Sequence, residues 1–290
     1  MHDVHGQRPR RRSPSVTSGA RDDHERLVLE ARDVEFDWAK LPFHYVPGEP
    51  FTTHVLNVLH MLLPAGEEFF VDVFKQTLPL IKDDQLRLDL QGFIGQEAMH
   101  SQAHSGVLDY FAANDVDLTP FTDQIGWLFG KLMGARPRWS LRRRHSWLLE
   151  QVSIVAAIEH YTAILGEWIL DSPQHDVIGT DPVMLDMLRW HGAEEVEHKA
   201  VAFDVMKHLR AGYWRQVRTQ LVVTPMMLLM WVRGVWFMFS VTRTCRRGPN
   251  RAGGTTSRRR GGAWCQGRCG SCGSSALITC RVSIRRSWAG

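Results

Sequence analysis

The sequence predicts an all-α protein: a bundle of four long helices with additional helices before and after it. Three observations predict this. From Phe51 onward apolar residues recur every three to four positions. Few windows alternate apolar and polar residues as a half-buried strand does. The periodic stretches are divided by short polar or proline-bearing turns.

The elements follow in order. The lead-in DDHERLVLEARDVEFDWAKLPFHYVPGEP closes on a Pro-Gly turn, and PFTTHVLNVLHMLLPAGEEFFVDVFKQTLPLI then reads as the first long helix, which Pro64 is expected to bend or divide. A second starts at Asp83 or Asp84 and runs to Ala113, where the polar turn NDVDLTP closes it. The shorter apolar stretch FTDQIGWLFGKLM leads through GARPRW into a third long helix over about residues 140 to 170. After the loop DSPQHDVIGTDP, the pair Asp181-Pro182 suits the start of a fourth, running to about Arg210.

Residues 220 to 241, QLVVTPMMLLMWVRGVWFMFSV, are the most apolar of all. A transmembrane span needs about 20 predominantly apolar residues, and Pro225 and Arg233 interrupt this run. A helix packed on the bundle, or one lying at a membrane surface, accounts for it about as well as a span does.

The two ends differ from the middle. Residues 1–28 are polar, Arg-rich and without hydrophobic period, which predicts disorder, and they lack the apolar core of an export signal. Residues 243–290 hold eleven Arg, all five Cys and no Lys, Asp or Glu. Without those eleven charges the formal +4 becomes −7, so the basic balance describes the tail and gives no reason to expect specific nucleic-acid binding. The spacing C265-x3-C269-x2-C272-x7-C280 superficially resembles a thiolate metal site, but its Arg/Gly/Ser surroundings carry no helix or strand pattern. Such a composition is what out-of-frame translation of a GC-rich gene gives, and a disordered tail is expected. The folded domain is thus expected over 29–242. It contains no cysteine, which suits a reducing cytoplasm.

The chemistry lies in RWHGAEEVEHKA, residues 189 to 200. On a helix His191, Glu195 and His198 share one face. Glu194 and Glu197 flank that face, where they either meet solvent or support the inner residues. The second helix repeats Glu-x-x-His with Glu97 and His100, amid apolar Leu90, Phe93 and Ile94. The first presents Glu67 and Glu68, either of which suits the chemistry, and the third presents Glu159 among apolar neighbours. A carboxylate in such a setting is costly unless paired or bound to a cation. Two helices giving Glu-x-x-His and two giving one Glu each make the ligand set of a carboxylate-bridged dimetal centre. Oxygen and nitrogen ligands without thiolate suit two iron ions, with manganese or zinc as alternatives. His104 is expected near the ligands or in solvent, His160 pointing away, and Glu167 close to the site.

The stretches GEEFF, GFIGQEAMHSQAH, AAIEHYTA and RWHGAEEVEHKAVAFDV resemble a bacterial family labelled predicted metal-dependent hydrolase, within the ferritin-like superfamily. The resemblance spans about residues 30 to 240 and implies a ferritin-like four-helix bundle with additional N- and C-terminal helices. Its GE-x-FF pattern favours Glu67 over Glu68. A narrower resemblance is to the di-iron arylamine N-oxygenases, whose last ligand helix carries His-x3-Glu-x2-His. It implies metal ligation by Glu67, Glu97, His100, Glu159, His191, Glu195 and His198, with the four glutamates also taking part in catalysis. The arylamine substrate does not carry over.

The expected function is therefore a non-haem di-iron enzyme that activates dioxygen to oxidise a small organic substrate. Metal-dependent hydrolysis and noncatalytic iron binding are the alternatives. Expected partners are the small-molecule substrate, an electron donor if the chemistry is oxidative, a second copy of the chain, and a membrane met peripherally through 220–241. The chain has no flavin or nicotinamide fingerprint of its own.

Overall fold

A computed structural model describes residues 29–247, with side chains to residue 242. The segments 1–28 and 248–290, including the cysteine-bearing tail from Trp264 on, lie outside the described residues. Among the described residues all regular structure is helical.

Four long helices build the bundle: α1 (Pro50–Thr77), α2 (Asp84–Ala113), α4 (Leu141–Leu170) and α6 (Pro182–His208). Each packs on two others, in the cyclic order α1, α2, α6, α4. Between them lie α3 (Thr119–Trp127), a short π-helical turn at Leu128–Leu132, and α5 (Gln174–Ile178). The C-terminal addition is the long α7 (Tyr213–Arg247), laid across α1 and α4. On the N-terminal side the addition is a single 3-10 turn, Trp38–Lys40, in a lead-in otherwise without regular structure.

Local chemistry sets the boundaries. Asp83 caps α2 by accepting from Leu86 N at 2.8 Å. Asp181 caps α6 by accepting from Val183 N and Met184 N, with Pro182 in the first turn where its missing N–H costs nothing. Pro64 does not divide α1, contrary to one expectation. It removes the single N–H that His60 C=O would have used, and the remaining turns are held by packing on α2, where Ser101 Oγ donates to Pro64 O at 3.1 Å.

The core joins Leu56, Leu59, Phe70 and Phe74 of α1 to Leu90, Phe93 and Val107 of α2, Val152 and Val155 of α4, and Met184 and Val205 of α6. Burial of this apolar surface is the main drive for assembly. At one point α4 and α6 come closer than side chains allow. A Cβ placed on Gly166 would meet Gly192 O at 2.4 Å, so that position requires glycine, and one on Gly192 would crowd Gly166 Cα at 3.0 Å.

α7 seats one face on the bundle through Thr219, Val223, Gly234, Val235 and Met238. Glu150 of α4 accepts from Arg215 Nε at 2.8 Å and from Arg218, and Tyr161 hydrogen-bonds Thr224 at 2.6 Å. By length and composition α4 and α7 are both apolar enough to cross a membrane, but α4 is a core helix and only α7 is mostly uncovered.

Candidate metal centre

Seven of the glutamates and histidines singled out above converge at mid-bundle, one ring from four helices. Glu67 enters from α1, Glu97 and His100 from α2, Glu159 from α4, and His191, Glu195 and His198 from α6; all are buried. Helical periodicity explains their alignment, since His191, Glu195 and His198 are four and three residues apart. Glu67 is buried and Glu68 exposed, so the structure separates the pair that residue chemistry leaves equal.

The distances are short. His198 Nδ1 lies 2.7 Å from Glu97 Oε1, His191 Nε2 3.0 Å from Glu195 Oε1 and 3.3 Å from Glu67 Oε1, and His100 Nδ1 3.5 Å from Glu195 Oε1. Proximity is not matched by hydrogen-bond geometry. Both oxygens of Glu67, Glu97 and Glu159, with Glu195 Oε2, His100 Nδ1, His191 Nε2 and His198 Nδ1, are buried without a hydrogen-bond partner. Ten such atoms in one place run against the rule that buried polar groups are satisfied, and their donor chemistry is that of a cation site.

Two overlapping groups of four have the compactness of a coordination sphere: Glu67, His100, His191 and Glu195, and Glu97, His100, Glu195 and His198. Glu159 belongs to neither. It stands beside the second, its Oε2 3.9 Å from His198 Nδ1.

Partners behind the ring orient it. His100 Nε2 meets Glu194 Oε2 at 2.9 Å, and His198 Nε2 meets Gln96 Oε1 at 3.0 Å. When these nitrogens donate, each Nδ1 keeps its lone pair for the centre. Glu194 also accepts from Trp190 Nε1 at 3.1 Å and Arg32 at 2.9 Å. Of the two settings considered for Glu194, it therefore takes the supporting one. His104 is buried near Glu67, its Nε2 3.9 Å from Glu67 Oε1, and its Nδ1 meets His60 Nδ1 at 2.8 Å. His60, Gln96 and Arg32 were not anticipated from the sequence. Their relation to the site is made across helices, where no spacing rule reaches. Glu167 corrects an expectation: α4 turns it outward, half exposed, to pair with Lys199 at 3.6 Å. His160 is exposed as expected.

The electrostatics are those of a tightly coupled buried cluster, in which carboxylates and imidazoles set one another's protonation. Burial pushes Glu67, Glu97 and Glu159 up, with the Glu195 charge adding to it. Burial also pulls His191 down, but Glu195 and Glu67 outweigh it and push it up to about 10. The same histidine, with His100 and His198, holds Glu195 well below the carboxylate range against its own burial. Burial, with the His191 charge, lowers His60 to about 3 and His104 well below the usual imidazole range.

The walls are apolar. Phe93 packs on His198 with ring centroids 4.3 Å apart, and Trp190 meets His100 edge-on at 5.0 Å. A narrow cleft lined by Leu59, Thr162, Leu165, Gly166 and Leu188 reaches His191. It shares Leu59, Thr162 and Leu165 with an apolar cleft floored by Phe70 and Phe129 and roofed by Met227, Met230 and Trp231 of α7. Tyr161 lines that cleft, whereas Trp127 is exposed on α3, away from it.

In comparison with protein families, the one described as "Predicted metal-dependent hydrolase" matches residues 30–271. That match covers the whole bundle and runs past residue 242. Comparisons with curated proteins and with solved structures give no match.

Proposed function

Because the chain belongs to the predicted metal-dependent hydrolase family and carries this centre, we propose that it is a non-haem di-iron enzyme that activates dioxygen to oxidise a small organic substrate. The observation that carries the reading is the cluster of ten unpartnered buried donor atoms, all carboxylate or imidazole, behind apolar walls. Two iron ions held there would supply the electrons and the Lewis acidity for oxygen chemistry.

The residues divide the work. Glu67 and His191 would hold a first ion with His100, and Glu97 and His198 would hold a second. Glu195 lies within reach of both. His100 can give its Nδ1 to one ion only. Glu159, beside His198, would be the further carboxylate available to the second. Glu194 and Gln96 hold the imidazoles in the ligating tautomer. The narrow cleft beside His191 gives the centre an approach on the scale of dioxygen and shields it from bulk water. The electron donor is a separate protein or small molecule.

Metal-dependent hydrolysis is the second reading, favoured by the family description. The same carboxylates would position and deprotonate a metal-bound water.

The test is metal content followed by oxygen reactivity. Two irons per chain are expected, with oxygen uptake by the reduced protein and a new near-ultraviolet or visible band. Glu97→Ala and His198→Ala should each lose at least one iron. Retention of both irons in those variants would sink the ligand assignment. Turnover of an ester or amide without oxygen, by zinc- or manganese-loaded protein, would replace oxidation with hydrolysis. Many irons per chain would replace both with storage.

A further inference from the structure

The outer face of α7 has no counterpart among the described residues. Trp214, Leu221, Leu228 and Trp236 are 79%, 71%, 63% and 71% exposed, and Val232 lies on the same stripe. The spacing from Trp214 to Trp236 repeats at about 3.5 residues, so these side chains form one line about 33 Å long with a tryptophan at each end. A soluble protein rarely leaves so long an apolar patch open.

Charge identifies what covers it. No Asp or Glu occurs after Asp204, whereas Arg215, Arg218 and Arg233 lie on α7 and eleven further arginines follow. Arg218 reaches Glu150 and Arg233 packs over Phe121 at 5.4 Å and bonds Gln124, so both sit at the margin of the apolar line. The chain's own Arg-rich segment is a poor cover, being of the same sign and short of apolar residues. The opposite face of α7 is locked to α1 and α4, where a Cβ on Gly234 would meet Val58 at 2.9 Å. The helix is therefore placed to lie along a surface rather than to cross a membrane.

We propose that α7 docks the protein in the plane of an anionic lipid bilayer, with the apolar line among the acyl chains, the tryptophans at the headgroup level and the excess positive charge of the arginine-rich C-terminal part drawn to the lipid phosphates. This docking does not depend on the chemistry assigned to the metal centre. Met227, Met230 and Trp231, on the bundle-facing side of the same helix, roof the apolar cleft toward His191.

The test is flotation of the full chain with phosphatidylcholine vesicles, with and without phosphatidylglycerol. Binding should require the anionic lipid and persist in part at high salt, where apolar contact remains and charge is screened. The triple variant Leu221→Glu, Leu228→Glu, Val232→Glu should bind at least tenfold more weakly while keeping its helicity and metal content. Trp236→Ala, a milder change at the exposed end, should weaken binding severalfold. Binding abolished by salt and equal in all variants would assign it to the arginines after residue 242 and overturn the proposal. Absence of vesicle binding would overturn it too, as would a wild-type dimer that Leu228→Glu splits, since the face would then belong to a second copy of the chain.

Discussion

Replacing Glu194 with glutamine changes one oxygen to an amide nitrogen in a side chain that touches no metal position directly. The carboxylate accepts from three donors, Trp190 Nε1 and Arg32 on Oε1 and His100 Nε2 on Oε2. It is ionised at neutral pH, because the hydrogen bond from His100, with Arg32 adding to it, outweighs the upward push of burial. An amide cannot accept on both sides. With its oxygen kept toward Trp190 and Arg32, its NH2 faces His100 Nε2, and that nitrogen gives up its proton. The proton then moves to Nδ1, the atom that faces the centre. Losing such a supporting contact typically costs 10- to 100-fold in metal affinity, about 1.4 to 2.7 kcal/mol. Glu194→Gln should show this loss in anaerobic Fe(II) titration against a chromophoric chelator, with little change in the melting temperature of the metal-free protein. Glu68→Gln, exposed on α1, is the control and should bind as wild type. An affinity within twofold of wild type for Glu194→Gln, or an equal fall in both variants, would refute the tautomer argument.

The metal-free protein should lose stability as pH rises from 6.5 toward 10. His191 has its folded pKa raised to about 10, so its contribution is complete below the unfolded value of 6.5 and is lost through that window. The raised Glu67, Glu97 and Glu159 act in the same direction, since the unfolded chain ionises them more readily. Thermal melts across that window should fall steadily without metal and stay nearly level with it; a rising metal-free curve would contradict the assigned shifts. Metal loading should also release protons, visible as a buffer-dependent heat in calorimetry, because those carboxylates must ionise to bind. Gly166→Ala should be destabilised by roughly 1–3 kcal/mol and lose metal at the His191 position, since its Cβ meets backbone rather than a side chain that can turn aside. Unchanged melting and metal content would show that α4 and α6 can separate freely.

What could be read from sequence was what a helix repeats. The stripe of His191, Glu195 and His198, the Glu97–His100 pair, and the starts of α2 and α6 at Asp83 and Asp181 follow from periods and caps along one segment. What escaped depends on partners far away in the chain. Glu194 stands next to Glu195, but its role is fixed by His100 and Arg32, 94 and 162 residues distant. The His60–His104 pair likewise joins two helices at a spacing that no pattern encodes. Glu167 failed for the opposite reason: two turns along α4 the helix face has rotated toward solvent, so sequence proximity to Glu159 overstated its nearness. Pro64 warns that a residue unfavourable in an isolated helix is carried when neighbouring helices hold both flanks.

The meeting of Gly166 and Gly192 sits one residue from His191, where main chain touches main chain and no rotamer exists to absorb motion. It works as a fixed ruler. α4 and α6 move as one plate, and the separation of Glu159 from the His191–His198 stripe is set before any ion arrives. Whatever give the centre needs, as ions of different radius bind or ligand number changes, must come from swinging carboxylates or from α1 and α2 on the far side. The tolerance of the site is therefore lopsided: Glu159, His191, Glu195 and His198 stand on the wall that backbone contact fixes.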